Sequence, residues 1–288
     1  MGVSKPDWFK IKLPEGNNYS AVVSNLRQNR LNTICQQARC PNRSVCWSDG
    51  TATFLILGTR CTRHCGFCAV AKGRPGPPDP EEPRRVGEAV ASLKIRHAVV
   101  TSVTRDDLDD GGASVFALTI EKIRQLAPST QVEVLIPDFR GSKEALGVVL
   151  AAKPDVLGHN VEVPASLYPR LGREKANYRR SLGVIETAKK AGFITKSGLM
   201  VGLGETKEDL RETLLDLRSA GCDLLTIGQY LQPTIRQLPV TRYYLPEELA
   251  DLKKEAEALG FLGVMAGPLV RSSYLAHQLY LRARGCVT

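Results

Sequence analysis

From Thr53 onward one theme repeats six times: a short run of β-branched and apolar residues, then a longer stretch with apolar residues at three- and four-residue spacing. The short runs, at 53–57, 98–102, 132–136, 156–160, 196–201 and 224–228, predict strands. The longer stretches, at 83–95, 114–126, 143–152, 178–191, 207–220 and 247–259, predict amphipathic helices. Gly192, Gly221 and Gly260 fall just past three of these, where a left-handed cap costs least. Strands joined through helices pair in parallel, so the class is α/β. Both a barrel, complete or partial, and a doubly wound sheet satisfy the pattern. In either, ligands bind at the C-terminal ends of the strands.

Residues 1–50 and 263–288 fall outside the repeat and read as extensions packed on a domain of residues 51–262. A chain of 288 residues is long enough to bury one large core. Its longest apolar runs fall well short of the ~20 residues of a membrane span, and the N-terminus lacks a signal-peptide core. The expectation is a cytoplasmic protein with no membrane association. The formal charge of +9 is spread along the chain, which argues against nucleic acid. A diffuse positive surface serves solubility, and equally the long-range attraction of an acidic protein partner.

Six of the eight cysteines lie between Cys35 and Cys68, in two triplets. In a reducing compartment such clustering points to metal rather than to disulfides. Cys61, Cys65 and Cys68, spaced C-x3-C-x2-C, follow directly on the first predicted strand. Three thiolates on one loop can grip three irons of a cubane and leave the fourth open. An open iron can chelate the amino and carboxylate groups of a methionine moiety, so that an electron entering the sulfonium bond releases a carbon radical. Phe67 can offer its face to an adenine. A zinc site completed by His64 is the competing reading of this loop. The second triplet, Cys35-x4-Cys40-x5-Cys46, needs a fourth ligand from elsewhere to close a cluster.

The C-x3-C-x2-C loop resembles that of the radical SAM superfamily, and the second triplet with Arg271-Ser272-Ser273-Tyr274 resembles the lipoyl synthase family in particular. Similar stretches run from Lys5-Pro6-Asp7-Trp8 through Gly73-Arg74-Pro75-Gly76-Pro77-Pro78 and Ser102-Val103-Thr104-Arg105-Asp106-Asp107-Leu108 to Tyr274, nearly the whole chain. The resemblance implies a partial (β/α)6 TIM-type barrel with N-terminal and C-terminal extensions. It also implies radical insertion of two sulfur atoms, at C6 and C8 of a protein-bound octanoyl-lysine. Cys61, Cys65 and Cys68 would hold the 4Fe-4S cluster that cleaves S-adenosylmethionine (SAM), and Cys35, Cys40 and Cys46 an auxiliary 4Fe-4S cluster that donates sulfur. Ser273 would be the auxiliary cluster's fourth ligand, with Ser272 the less favoured choice. The implied partners are octanoylated lipoyl carrier domains (E2 subunits of 2-oxoacid dehydrogenases and the glycine cleavage H protein), a ferredoxin- or flavodoxin-type electron donor and an iron–sulfur cluster carrier.

Candidate SAM contacts follow from the strand ends: Thr101, Ser102 and Thr104 at the second strand, Asn160 and Glu162 after the fourth, Lys196 and Ser197 on the fifth. For Thr101 and Ser102, a hydroxyl satisfying backbone is an equal alternative. Arg105-Asp106-Asp107 follows a strand end and reads as functional rather than as a solvated charge run, and Arg271 as positioning the serines or substrate. His159 reads as a hydrogen-bonded core residue, Cys222 as a small buried hydrophobe and Cys286 as an exposed thiol. Gln36 and Gln37 stand where many family members are acidic, and Thr234-Ile235-Arg236-Gln237 replaces a histidine-containing stretch. Neither departure touches a ligand. Two other readings compete: a radical SAM enzyme whose auxiliary cluster passes electrons, and a non-catalytic zinc- or cluster-binding protein.

Overall fold

The computed structural model describes residues 5–11, 17–174 and 176–286. The chain forms two compact units, one of residues 11–64 and 69–155, the other of residues 1–10, 65–68 and 156–288.

The first unit contains, in chain order, α1 (Asn17–Gln28), β1 (Asn32–Thr33), α2 (Ile34–Gln37), α3 (Arg43–Ser48), β2 (Thr53–Ile56), β3 (Arg60–Cys61), β4 (Ala71–Lys72), α4 (Glu82–Ser92), β5 (His97–Ser102), α5 (Ala113–Leu126), β6 (Gln131–Leu135) and α6 (Lys143–Ala151). Its sheet runs β1-β2-β5-β6. β2 pairs parallel to β5 and β5 parallel to β6, while β1 adds an antiparallel edge through Asn32↔Leu55 and Thr33↔Phe54. The N-terminal extension is therefore stitched to the sheet by backbone. All four residues of β2 are buried, as expected of a strand covered on both faces.

The second unit contains β7 (Val156–Gly158), α7 (Ala176–Lys190), β8 (Ile194–Val201), α8 (Lys207–Ser219), β9 (Leu224–Gln229), α9 (Pro246–Ala258), β10 (Gly263–Gly267) and α10 (Ala276–Ala283). Its four strands pair in parallel and in sequence order. Every residue of β9 is buried, and Leu225, Ile227 and Val264 join Leu210, Leu214 and Leu217 of α8 in one core. Each such side chain contributes roughly 2 kcal/mol by leaving water. α8 opens with a capping box: Asp209 N donates to Thr206 Oγ1 (3.1 Å) and Thr206 N to the Asp209 carboxylate (2.9 Å).

All six expected strands and helices form, within a few residues of the expected bounds. The glycines after α7, α8 and α9 have φ of 87°, 83° and 88°, the left-handed caps that the sequence indicated. Two differences matter. β7 stops at Gly158, so Asn160 lies beyond it, and Glu162 returns to pair with Leu199 through a single parallel bridge. The C-terminal extension begins with β10, a further parallel strand against β9. Its five residues, glycine at each end, carry too little alternation to read as a strand. The motif-based boundaries at 50 and 262 thus do not coincide with those of the compact units.

Candidate metal centres and cofactor pocket

In the first unit the backbone gathers the Cys35, Cys40 and Cys46 side chains. Thr33 Oγ1 accepts from Gln36 N (3.3 Å) and starts α2, which carries Cys35. Cys40 N donates to Cys35 O (3.0 Å), and Cys46 N to Asn42 O (2.9 Å) within the turn that opens α3. Trp47 anchors α3, buried beneath the Arg43 guanidinium (5.7 Å to the ring centroid) and beside Tyr19 (5.5 Å). Burial, then the neighbouring Cys35 and Cys40, push the Cys46 thiol up to about 12.

The first half of the second cysteine loop is fixed by hydrogen bonds. Thr62 N and Oγ1 both donate to Thr104 O (3.1 and 3.0 Å), and Asp106 N donates to Thr62 Oγ1 (3.1 Å). Arg63 grips Asp106 with Nε and Nη2 (2.7 and 2.9 Å) and reaches Asp138 with Nη2 (2.6 Å). Arg105 is buried, paired through Nε and Nη2 with both oxygens of Asp107 (2.9 Å each), and donates to Leu57 O (3.2 Å). The Arg-Asp-Asp stretch thus fastens the loop that bears Cys61. Thr101 Oγ1 donates to Leu135 O (2.9 Å), the backbone alternative for that residue. Ser102 Oγ is buried with no hydrogen-bond partner among the described residues, a strand-end hydroxyl of the kind a ligand satisfies.

Cys65 to Cys68 belong to the second unit. Gly66 N donates to Leu171 O and Leu238 N to Gly66 O, both at 3.0 Å, and Cys68 N to Cys65 O at 3.2 Å. Arg173 Nε donates to Cys65 Sγ at 3.3 Å, and its guanidinium carbon lies 5.8 Å from the Phe67 ring centroid and 5.9 Å from that of Tyr168. Burial works against the Arg173 charge, and Cys65 with Glu162 outweighs it, so the guanidinium stays charged. Desolvation lifts the Glu162 carboxyl above the usual carboxylate range, opposed by Arg173 and by Asn160. A cation beside a sulfur favours thiolate, the form that binds iron.

Asn160 Nδ2 donates to Glu162 Oε1 (3.3 Å), while its Oδ1 accepts from Ser272 Oγ (3.0 Å). Ser197 Oγ accepts from Val161 N (3.2 Å), and Lys196 is buried beside it in β8. Ser273 follows in the turn between β10 and α10, where Arg271 Nη1 donates to Val270 O (2.6 Å). His159 Nε2 pairs with Ser181 Oγ (2.9 Å) inside the core. Cys222 is fully buried, pushed up to about 12 by burial and then Asp223, and Cys286 is exposed. The second unit therefore brings Cys65, Phe67, Asn160, Glu162 and Ser272 into one connected set, with Arg173 at its centre. The sequence reading passed over Arg173, which lies in a charged turn far from any strand end. Among the described residues no three His, Cys, Asp or Glu side chains approach closely enough to share one metal ion. A cubane takes one thiolate at each of separate irons, so its ligands need not converge on a point.

Comparison with known proteins bears on this arrangement. The model of the radical SAM superfamily matches residues 55–217, and that of the N-terminal domain of lipoyl synthase residues 3–40. The chain is 52% identical over 276 residues to the lipoyl synthase of Rubrobacter xylanophilus, covering 95% of this chain and 86% of that protein. It is 53% identical over 280 residues to that of Caldicellulosiruptor saccharolyticus, covering 96% of this chain and 98% of that one. Among solved structures, SuiB of Streptococcus suis bound to its precursor peptide SuiA aligns with a TM-score of 0.60 at 12% identity. The alignment covers 96% of this chain and 59% of that one and shows a shared α/β fold of alternating strands and helices. That is the partial-barrel class expected from the sequence.

Proposed function

Because the chain belongs to the lipoyl synthase family of radical SAM enzymes, we propose that it inserts sulfur at C6 and C8 of an octanoyl chain carried on a lysine of a lipoyl carrier domain. The family uses a 4Fe-4S cluster and SAM. In this chain Cys61, Cys65 and Cys68 would hold that cluster, which when bound would supply the electron that opens the sulfonium bond of SAM. The auxiliary cluster would be a second one, held by Cys35, Cys40, Cys46 and Ser273 and serving as the sulfur source.

The observation that carries this reading is the backbone that holds the second trio in one short segment, Cys40 N on Cys35 O and Cys46 N on Asn42 O, since a radical SAM enzyme without a second cluster has no use for a second trio. Ser272 commits its hydroxyl proton to Asn160, which supports Ser273 as the ligand. An alkoxide would hold iron less firmly than a thiolate, so Ser273 would be the weakest of the four ligands. In the first unit the unsatisfied hydroxyl of Ser102, and in the second the Asn160–Glu162 pair, are of the donor and acceptor types that a ribose and an amino-acid headgroup take. Phe67, with Arg173 over its ring, is the aromatic side chain of the loop that would meet an adenine. The carrier is an E2 subunit or the H protein, a ferredoxin or flavodoxin delivers the electron, and a cluster carrier rebuilds the auxiliary centre. The setting is the cytoplasm; among the described residues no helix is long and apolar enough to cross a membrane.

The test is anaerobic reconstitution, iron and sulfide assay, then incubation with reductant, SAM and an octanoylated peptide. The peptide is expected to gain two sulfurs as 5′-deoxyadenosine accumulates. Deoxyadenosine without peptide-bound sulfur would instead favour a radical enzyme whose second cluster only passes electrons.

A further inference from the structure

The side chain that the proposed chemistry leaves without a task is Arg173. It lies in the turn that follows Leu171, whose carbonyl accepts from Gly66 N, so the turn and the cysteine loop are joined by backbone within two residues of the contact in question. Its Nε–H is directed at Cys65 Sγ at 3.3 Å. Phe67 and Tyr168 lie against the guanidinium at 5.8 and 5.9 Å and restrict its motion. Tyr168 is itself fixed, fully buried and donating its hydroxyl to Val161 O at 2.7 Å. A surface arginine reaching a sulfur by chance would not have its body packed between aromatic rings and its partner on a loop tied to the same turn.

We propose that Arg173 is a positioning residue that raises the reduction potential of the cluster held in part by Cys65, through an N–H···S bond and a fixed positive charge. This rests on the assignment of Cys61, Cys65 and Cys68 as ligands. Reduction places added electron density on iron and on its sulfur ligands. A hydrogen bond to a ligand sulfur and a nearby cation stabilise the more negative, reduced state more than the oxidised one. The half-buried setting strengthens both effects relative to open solvent. Arg173 thereby governs how much of the cluster a donor of given potential can reduce before SAM arrives.

The experiment is an anaerobic redox titration followed by electron paramagnetic resonance, with SAM absent. It is run on the full chain carrying Cys35→Ala, Cys40→Ala and Cys46→Ala, so that one cubane reports, and in parallel on the unaltered holoenzyme. Arg173→Leu and Arg173→Gln both remove the charge, the second keeping a polar chain where folding is a concern. At a fixed applied potential, the reduced-to-oxidised ratio of the neutral variants is expected to fall tenfold or more, a shift of about 59 mV for one electron. Arg173→Lys returns the charge and is expected to recover part of the loss. A parental midpoint in either neutral variant that loads iron overturns the proposal. Absence of any cubane in the parent overturns instead the assignment on which it rests.

Discussion

Removing the Asp106 carboxylate is expected to loosen the first half of the cysteine loop at a cost that the geometry fixes within a narrow range. Arg63 makes two bonds to Asp106 and one to Asp138, and the three side chains are 23%, 28% and 3% exposed. An exposed ion pair is worth under about 1 kcal/mol, and breaking a buried one costs roughly 3–5 kcal/mol. Asp106 lies between these limits, and Arg63 keeps Asp138 when Asp106 is lost, so Asp106→Ala should cost about 2 kcal/mol. Asp138→Ala should cost more, about 3 kcal/mol, since Asp138 is buried and its carboxylate also accepts from Arg140 N at 3.1 Å. In a double-mutant cycle with Arg63→Ala, the Arg63–Asp106 coupling should be about 1.5 kcal/mol. Urea unfolding of the metal-free protein, compared at constant m, measures each value. A coupling below about 0.5 kcal/mol would show that the clamp is a solvent-screened surface pair and that the loop is held by Thr62 alone.

Ser273→Ala should leave SAM cleavage intact and remove sulfur from the product; parental yield of lipoylated peptide would place the fourth ligand elsewhere. Gly228→Ala puts a Cβ 2.1 Å from Val270 O, far inside contact distance. It should cost about 2–3 kcal/mol and shift the segment leading to Ser273, lowering both melting temperature and product sulfur; an unchanged melting temperature would refute the close approach. Burial raises the Glu82 carboxyl above its ordinary 4.5, despite the bond it accepts from Leu57 N at 2.7 Å. The folded state then holds this proton more tightly than the unfolded chain, so the favourable contribution is complete below 4.5 and is lost as pH rises through the folded value. Unfolding free energies of parent and Glu82→Gln, compared from pH 4 to 7, should show the parent losing ground as pH rises, and the opposite slope would refute the assignment.

The strands and helices were legible because each is encoded locally. Fully buried parallel strands such as β2 and β9 need unbroken apolar runs, and their helices need a stripe at helical spacing, so period alone locates them. Gly221 and Gly260 mark helix ends for an equally local reason, a left-handed φ that other residues resist. β10 was not legible, because its five residues become a strand only through pairing with β9. The cysteine triplets were visible by spacing. The turns around Arg39 and Asn42, which hold Cys35, Cys40 and Cys46 in one compact backbone segment, are not reported by spacing.

Arg173 shows where local reading ends. Its neighbours in sequence, Gly172 and Glu174, are exposed, and nothing in Leu171-Gly172-Arg173-Glu174 distinguishes it from other charged turns. What sets it apart is a contact across 108 residues to Cys65, made possible by the Gly66 N to Leu171 O bond, one residue after Cys65 and two before Arg173. Strand-end reasoning could not reach it, because that reasoning assigns chemistry to residues directly after a strand, and Arg173 comes 15 residues after β7 ends at Gly158. The strand-end candidates it did identify divide by hydrogen bonding: Thr101 and Ser197 are spent on backbone, while Ser102 is not. A hydroxyl already satisfied by the sheet must break a bond to meet a ligand, whereas an unsatisfied buried one gains by doing so. Among these three, Ser102 is therefore the residue whose removal should weaken SAM binding most.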